Sequence, residues 1–217
     1  MKAAVIPAYN EAKTIREVAK RSKNFVDMVV VVDDCSTDDT FSEAEKAGVK
    51  VIRHEKNQGK AAALKTGFEC TKEYDTIIMI DADLQHLPEE IPLLLTGISD
   101  GHDLCIGSRF LSNQSCMPLL NKISNKVSSR ILSVLAGQRV TDPQSGFRAI
   151  RRETLDRLEL SAGRYAIEHI MILEAAREGL KIKELPISCI YGDEASHIHP
   201  IKDTINVIYH ITRFLTR

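Results

Sequence analysis

Short apolar runs alternate with segments of helical period from the start of the chain, the pattern of strands separated by helices. Residues 3–6 read as a strand, and residues 11–23 as a helix with Ile15, Val18 and Ala19 on one face. Residues 28–32 form a continuous, mostly β-branched run ending at Asp33 and Asp34. Residues 37–40 then cap a helix to about Ala47, which Gly48 stops. Further strands are expected at 49–53, 76–80 and 102–106, with helices at 60–72 and from Pro88. The strand runs are apolar throughout rather than alternating, so they are expected to be buried on both faces of a mostly parallel α/β sheet. Ligands of such sheets bind beyond the carboxyl ends of the strands. Polar residues gather at four of those ends: 7–11, 33–36, 81–86 and 107–109.

From about Cys116 the pattern changes. Residues 119–135 are helical and mix apolar with basic positions, Lys122, Lys126 and Arg130 recurring every four residues on one face. A polar loop at 141–146 leads into a strand at 147–150 and a helix from Arg151. A helix at 164–178, a strand region at 180–190 and an amphipathic helix at 201–215 follow. No repeat, linker or low-complexity tract divides the chain, and one domain is expected over residues 1–217.

Composition narrows the classes. At 43% hydrophobic and 27% charged residues the chain is globular, not disordered. Twenty-nine Lys and Arg against 30 Asp and Glu leave a net charge of -1, so no nucleic-acid partner is expected. No apolar run is long enough to span a bilayer. Pro7 and Asn10 come too early for a signal peptide, so a cytoplasmic chain is expected. Five scattered cysteines, with no CxxC pair, read as reduced thiols.

The sharpest chemistry lies in Asp81-Ala82-Asp83-Leu84-Gln85. In extended chain, positions i, i+2 and i+4 point the same way, so Asp81, Asp83 and Gln85 would face one point. Three hard oxygen donors suit Mg²⁺ or Mn²⁺. The plain structural alternative is a solvated acidic turn with Asp83 as a helix cap. Neither GxGxxG nor GxxxxGK[ST] occurs, which disfavours dinucleotide oxidoreductases and P-loop NTPases. Tyr9 instead offers a stacking face, and Asp33 or Asp34 an acceptor for a base or ribose.

Six motifs occur in order: Val5-Ile6-Pro7-Ala8-Tyr9-Asn10-Glu11, Val32-Asp33-Asp34-Cys35-Ser36-Thr37-Asp38, Asn57-Gln58-Gly59-Lys60, Asp81-Ala82-Asp83-Leu84-Gln85, Gly107-Ser108-Arg109 and Ser145-Gly146-Phe147-Arg148-Ala149. Over residues 3 to about 192 the chain resembles family 2 glycosyltransferases, in particular the dolichyl-phosphate mannose synthase-like branch that glycosylates polyprenyl phosphates. The resemblance implies a GT-A fold, a Rossmann-like nucleotide-diphospho-sugar transferase sheet flanked by helices. Residues 1 to about 115 would hold the nucleotide sugar, and the remainder would serve the acceptor. It further implies a nucleotide-sugar site of Pro7, Tyr9, Glu11, Val32, Asp34, Lys60, Asp81, Ala82 and Asp83. A metal site of Asp81, Asp83 and Gln85 and catalytic roles for Asp83, Arg109 and Arg148 follow from the same likeness. Arg109, Lys122, Ser124, Lys126 and Arg148 would hold the acceptor phosphate. The family's Arg and Lys near the last strand are replaced by Cys189 and the uncharged region of Ala195, with His197 and His199 following.

The implied reaction is metal-dependent transfer of a hexose, mannose or glucose, from a GDP- or UDP-sugar with inversion. A hydroxyl acceptor would need a general base, whereas a phosphate monoester is already largely dianionic at neutral pH. Family members acting on hydroxyls carry an acidic pair where this chain has residues 144–148, so a polyprenyl phosphate at the membrane surface is the expected acceptor. Peripheral contact through the helix at 121–135 or 201–215 is expected, and a membrane-spanning partner or a homo-oligomer is left open. Glu168 is the one carboxylate read as an alternative base; its structural alternative is a partner for Arg148 or Arg164. The competing functions are transfer to a sugar hydroxyl, a non-catalytic nucleotide-sugar-binding subunit, and a phosphohydrolase. The last is disfavoured because Asp-x-Asp lies on the fourth strand and lacks a following Thr.

Overall fold

A computed structural model describes residues 1–112, 119–160, 167–188 and 190. Seven strands form one sheet in the order β3-β2-β1-β4-β6-β5-β7. They are β1 (Lys2–Ala8), β2 (Met28–Asp33), β3 (Lys50–Arg53), β4 (Thr76–Met79), β5 (Leu104–Ser108), β6 (Arg148–Arg151) and β7 (Ile182–Pro186). Every pairing is parallel except those of β6, which runs against both β4 and β5.

The apolar strand runs are divided between two cores by residue parity. Ala4, Ile6, Val31, Ile78 and Phe147 pack on one side with α1 (Ile15–Ser22), α2 (Thr40–Glu45) and α4 (Ile91–Ser99). Ala3, Val5, Ile77, Met79 and Ile106 pack on the other with α3 (Lys60–Cys70), α6 (Arg152–Leu155) and α7 (Ile167–Arg177). Residues 3–6 are wholly inaccessible, as strands covered on both faces must be. On the second side α3 lies so close to β1 that a Cβ at Gly67 would overlap the Val5 side chain.

The structure trims the expected helices. Residues 11–14 form turns before α1, and a 3₁₀ turn at Pro88–Glu90 precedes α4. The long α5 (Leu119–Leu135) matches the expected span, while the helix expected at 201–215 lies outside the described residues. Cys35, Cys70 and Cys105 are free thiols, and burial pushes Cys105 up to about 12; Cys116 and Cys189 lie outside the described residues.

Orientation of β6 decides where the site is built. Because β6 runs against β4 and β5 and begins where they end, the preceding loop 141–147 is delivered to their carboxyl ends. Glu184 on β7 fixes that loop by accepting hydrogen bonds from the amides of Thr141 and Asp142, at 2.8 and 2.9 Å.

Candidate functional site

The lip of the crevice is built from the ends of β1, β2 and β4. Each turns through a residue in the left-handed region: Asn10 at φ 57, Cys35 at φ 63 and Leu84 at φ 59. The first two turns are tied together. Asn10 N donates to Ser36 Oγ at 2.9 Å, Thr37 N donates to Asn10 Oδ1 at 2.8 Å, and Glu11 N donates to Thr40 Oγ1 at 2.7 Å. Tyr9 remains 46% exposed above this lip, free to offer a ring face. Pro7 and Val32 are register partners with buried side chains, and Ala82 is buried beside Asp81.

The expectation that Asp34 presents an open acceptor to a base is corrected. Its carboxylate is 3% exposed. It accepts from the amides of Gln58 and Gly59 at 2.9 and 2.6 Å and lies 2.7 Å from His54 Nδ1. Asp34 therefore closes the 54–59 loop and sets the start of α3. Asp33 is likewise engaged inside the fold, accepting from Ser36 N at 3.0 Å with Arg53 Nε 3.2 Å away.

Lys60, the first residue of α3, points into the centre of the site. Its Nζ lies 2.6 Å from Asp81 Oδ1 and 2.7 Å from Glu168 Oε1. Burial opposes the charge on Lys60, but the two carboxylates outweigh it and hold the ammonium above its ordinary value. Burial would raise Asp81 and Glu168, yet Lys60 holds both below the usual carboxylate range. Asp83 behaves oppositely. Burial and the neighbouring Asp81 charge push it up to about 6, against the single amide hydrogen bond it accepts from Gln85 at 3.0 Å.

That imbalance is the test of whether a metal fits. Two hard oxygen donors, one of them destabilised by its neighbour's charge, match what Mg²⁺ or Mn²⁺ requires. The described residues contain no group of three or more His, Cys, Asp or Glu able to hold an ion by themselves. The alternation argument for Gln85 fails: β4 ends at Met79, and the chain turns at Asp83 and Leu84 instead of staying extended.

The loop before β6 covers the acidic pair from above. A Cβ at Gly146 would overlap the Asp81 carboxylate, so this position admits no side chain. Asp142, wholly buried, grips Arg109 in a fork: Nε to Oδ2 at 2.7 Å, Nη2 to Oδ1 at 2.9 Å. Arg109 still acts on the pair, its charge drawing both Asp81 and Asp83 downward. His86 stacks on Phe147 at 5.5 Å between ring centroids, and burial and Arg109 push it down to about 4.

Arg148 corrects the sequence reading most plainly. It is 1% exposed, and its guanidinium donates to three carbonyls: Ser145 at 2.9 Å, Glu168 at 2.7 Å and Pro143 at 2.8 Å. It clamps the 143–145 turn to the first turn of α7 and offers no surface to an acceptor phosphate. Glu168 meets Arg148 through its carbonyl, while its carboxylate belongs to Lys60.

The set Lys122, Ser124 and Lys126 is split by helix geometry. At about 100° per residue, Ser124 lies roughly 200° from both lysines, so the three cannot hold one phosphate. Ser124 faces the 141–146 loop, 3.4 Å from Gln144 Nε2, while Lys126 is exposed. The inward face of α5 combines the buried Leu132 with polar contacts. Asn125 Nδ2 donates to Thr141 O at 3.1 Å, and Ser133 Oγ accepts from Val140 N at 2.9 Å. Its outward face carries Ile123, Val127 and Val134, at 53, 45 and 77% exposure, beside the exposed Lys126 and Arg130. Cys189, Ala195, His197, His199 and Arg164 lie outside the described residues.

Sequence reasoning missed Asp142, His86 and the Lys60–Glu168 pair. Gly146 lies within a quoted motif and Asp142 three residues before it, the one signal that marked their loop.

A mostly parallel sheet with an acidic pair at the end of a central strand, under a loop returned by one reversed strand, is the architecture of a GT-A glycosyltransferase. Residues 3–159 match the model of Glycosyl transferase family 2, and the chain belongs to that family. An uncharacterized protein of Methanocaldococcus jannaschii is 40% identical over 197 residues, covering 87% of this chain and 81% of its own length. The UDP-N-acetylglucosamine–dolichyl-phosphate N-acetylglucosaminyltransferase of Methanococcus voltae is 34% identical, over 87% of this chain and 85% of that one. The dolichol-phosphate mannosyltransferase of Pyrococcus furiosus is 32% identical over 88% of this chain, which spans 56% of the longer protein. Glucosyl-3-phosphoglycerate synthase of Mycobacterium tuberculosis in complex with UDP superposes with a TM-score of 0.80 at 26% identity, over 96% of this chain and 77% of that chain.

Proposed function

We propose that this glycosyltransferase moves a hexose from a nucleotide diphosphate sugar to a polyprenyl phosphate, with inversion and with Mg²⁺ or Mn²⁺. The observation that carries the acceptor class is the state of the carboxylates around Asp81 and Asp83. Glu168 is ion-paired with Lys60, and Asp142 with Arg109. A carboxylate held below its ordinary range by an ammonium is a poor general base. An acceptor that arrives ionised needs none, and a phosphate monoester is such an acceptor. The relatives that act on dolichyl phosphate support the same class.

Asp81 and Asp83 would hold the cation, with Gln85, water and diphosphate oxygens left for the remaining positions. Once bound, it would neutralise charge on the leaving diphosphate. Tyr9 would stack on the base, while Glu11 and the Asp34-anchored loop shape the pocket. Arg109 faces the transferring phosphates as half of a neutral pair. No helix among the described residues is long and apolar enough to cross a membrane. Contact with lipid would come from the outward face of α5, where Ile123, Val127 and Val134 adjoin Lys126 and Arg130.

The deciding assay supplies labelled GDP- and UDP-hexoses with polyprenyl phosphate in vesicles, glycerol 3-phosphate or free sugars, each with Mn²⁺ or excess chelator. Metal-dependent transfer to polyprenyl phosphate is the expected result. Transfer to a sugar hydroxyl alone overturns the acceptor class, and transfer to glycerol 3-phosphate alone overturns the lipid.

A further inference from the structure

Lys60 has two counter-ions on two different elements. Asp81 follows β4, and Glu168 stands in the first turn of α7. Asp81 is also the carboxylate that a divalent cation would share with Asp83. An ammonium 2.6 Å from Asp81 Oδ1 competes with that cation for the same oxygens and repels it. Glu168 Oε1, 2.7 Å from the same Nζ, is the alternative seat. Its side chain is 11% exposed and that of Lys60 28%, so water screens the pair only in part. Arg148 fixes the Glu168 backbone by donating to its carbonyl, which anchors the base of this side chain.

We propose that Glu168 is a positioning residue for metal capture. It holds the Lys60 ammonium when a divalent cation takes Asp81, so that Asp81 changes partner without leaving the ammonium unpaired. This role rests on the metal dependence proposed above. It differs from that of a general base, because the Glu168 carboxylate stays ionised and moves no proton.

Mn²⁺ affinity of the full chain, measured without donor or acceptor from the electron paramagnetic resonance signal of free Mn²⁺, tests it. Glu168→Gln leaves Lys60 with Asp81 alone and is expected to weaken Mn²⁺ binding about tenfold, as loss of an outer-shell partner does. In a Lys60→Met background the competitor is gone, and the same Glu168→Gln change is expected to cost less than about twofold, a double-mutant-cycle signature of coupling. A remote negative charge would produce equal losses in both backgrounds, which overturns the proposal. Glu168→Asp gives a check that needs no Lys60 variant. It keeps the charge but withdraws the carboxylate by one methylene, so weakened Mn²⁺ binding supports the role and wild-type binding overturns it. Melting temperatures confirm that each variant is folded. If the wild-type chain binds no Mn²⁺, the metal reading itself falls, and this one with it.

Discussion

Gly146 lies against the Asp81 carboxylate with no room for a methyl group between them. The contact joins the loop before β6 to the end of β4, so the acidic pair is shaped by residues from both halves of the chain. Gly146→Ala is expected to push Asp81 aside and weaken Mn²⁺ binding by about tenfold or more, within the range for disturbed ligand support. Mn²⁺ titration followed by the melting shift on adding UDP reads the effect. Unchanged Mn²⁺ affinity would show that Asp81 moves without cost.

Arg148→Ala removes a buried guanidinium that satisfies three carbonyls. Leaving these buried carbonyls without donors is expected to cost about 1–3 kcal/mol for each one that water cannot reach. Denaturant titration measures it. A variant as stable as wild type, yet deficient in transfer to lipid phosphate, would return Arg148 to the acceptor site.

Asp34→Asn replaces an acceptor faced by two backbone amides with a group that can turn only one oxygen toward them. A loss of roughly 1–3 kcal/mol and a raised KM for the nucleotide sugar are expected. Retained stability with a raised KM would mean that Asp34 contacts the nucleotide directly.

His169 is 3% exposed, and burial pushes it down to about 4. Its ring stays neutral in the fold, while the unfolded chain takes up a proton near pH 6.5. Stability is therefore full above pH 6.5 and falls as pH drops from 6.5 toward 4, by up to about 1.4 kcal/mol per pH unit for this ring. His169→Leu should reduce that slope between pH 7 and 5 in urea titrations, with the His86 contribution remaining. Parallel pH dependence in the variant and wild type would refute the assignment.

The sheet was legible where the chain is apolar on both faces. The runs at 3–6, 28–32 and 76–80 became β1, β2 and β4, because a strand between two helix layers has no polar side to disguise it. The strand at 147–150 was also visible, but not its direction. Orientation depends on which edge is open when the chain returns, and β6 fills the gap between β4 and β5. At the candidate site, Asp81, Asp83 and Lys60 stand in motifs, whereas their geometry was not legible. A left-handed Leu84 ends the alternation that placed Gln85, and Leu is a poor signal for such a turn. Arg148 has the residue type of a phosphate clamp, but its three carbonyl partners come from a loop and a helix that only the fold brings together. The Lys60–Glu168 pair joins α3 to α7, beyond the reach of any local pattern.

The reversed strand also bears on how a growing chain acquires this site. When β4 and β5 have both been synthesised neither has its native partner on the facing edge, because their common neighbour is still to come. Until Arg151 has emerged, the Thr76–Met79 edge presents unpaired amides and carbonyls beside Ile77, Ile78 and Met79, a template for pairing with another nascent chain. A fragment ending near residue 115 is therefore expected to aggregate rather than fold as a nucleotide-binding unit, and sedimentation of the released fragment would reveal it. The order of synthesis thus makes the later part of the chain a late-arriving chaperone for the earlier part.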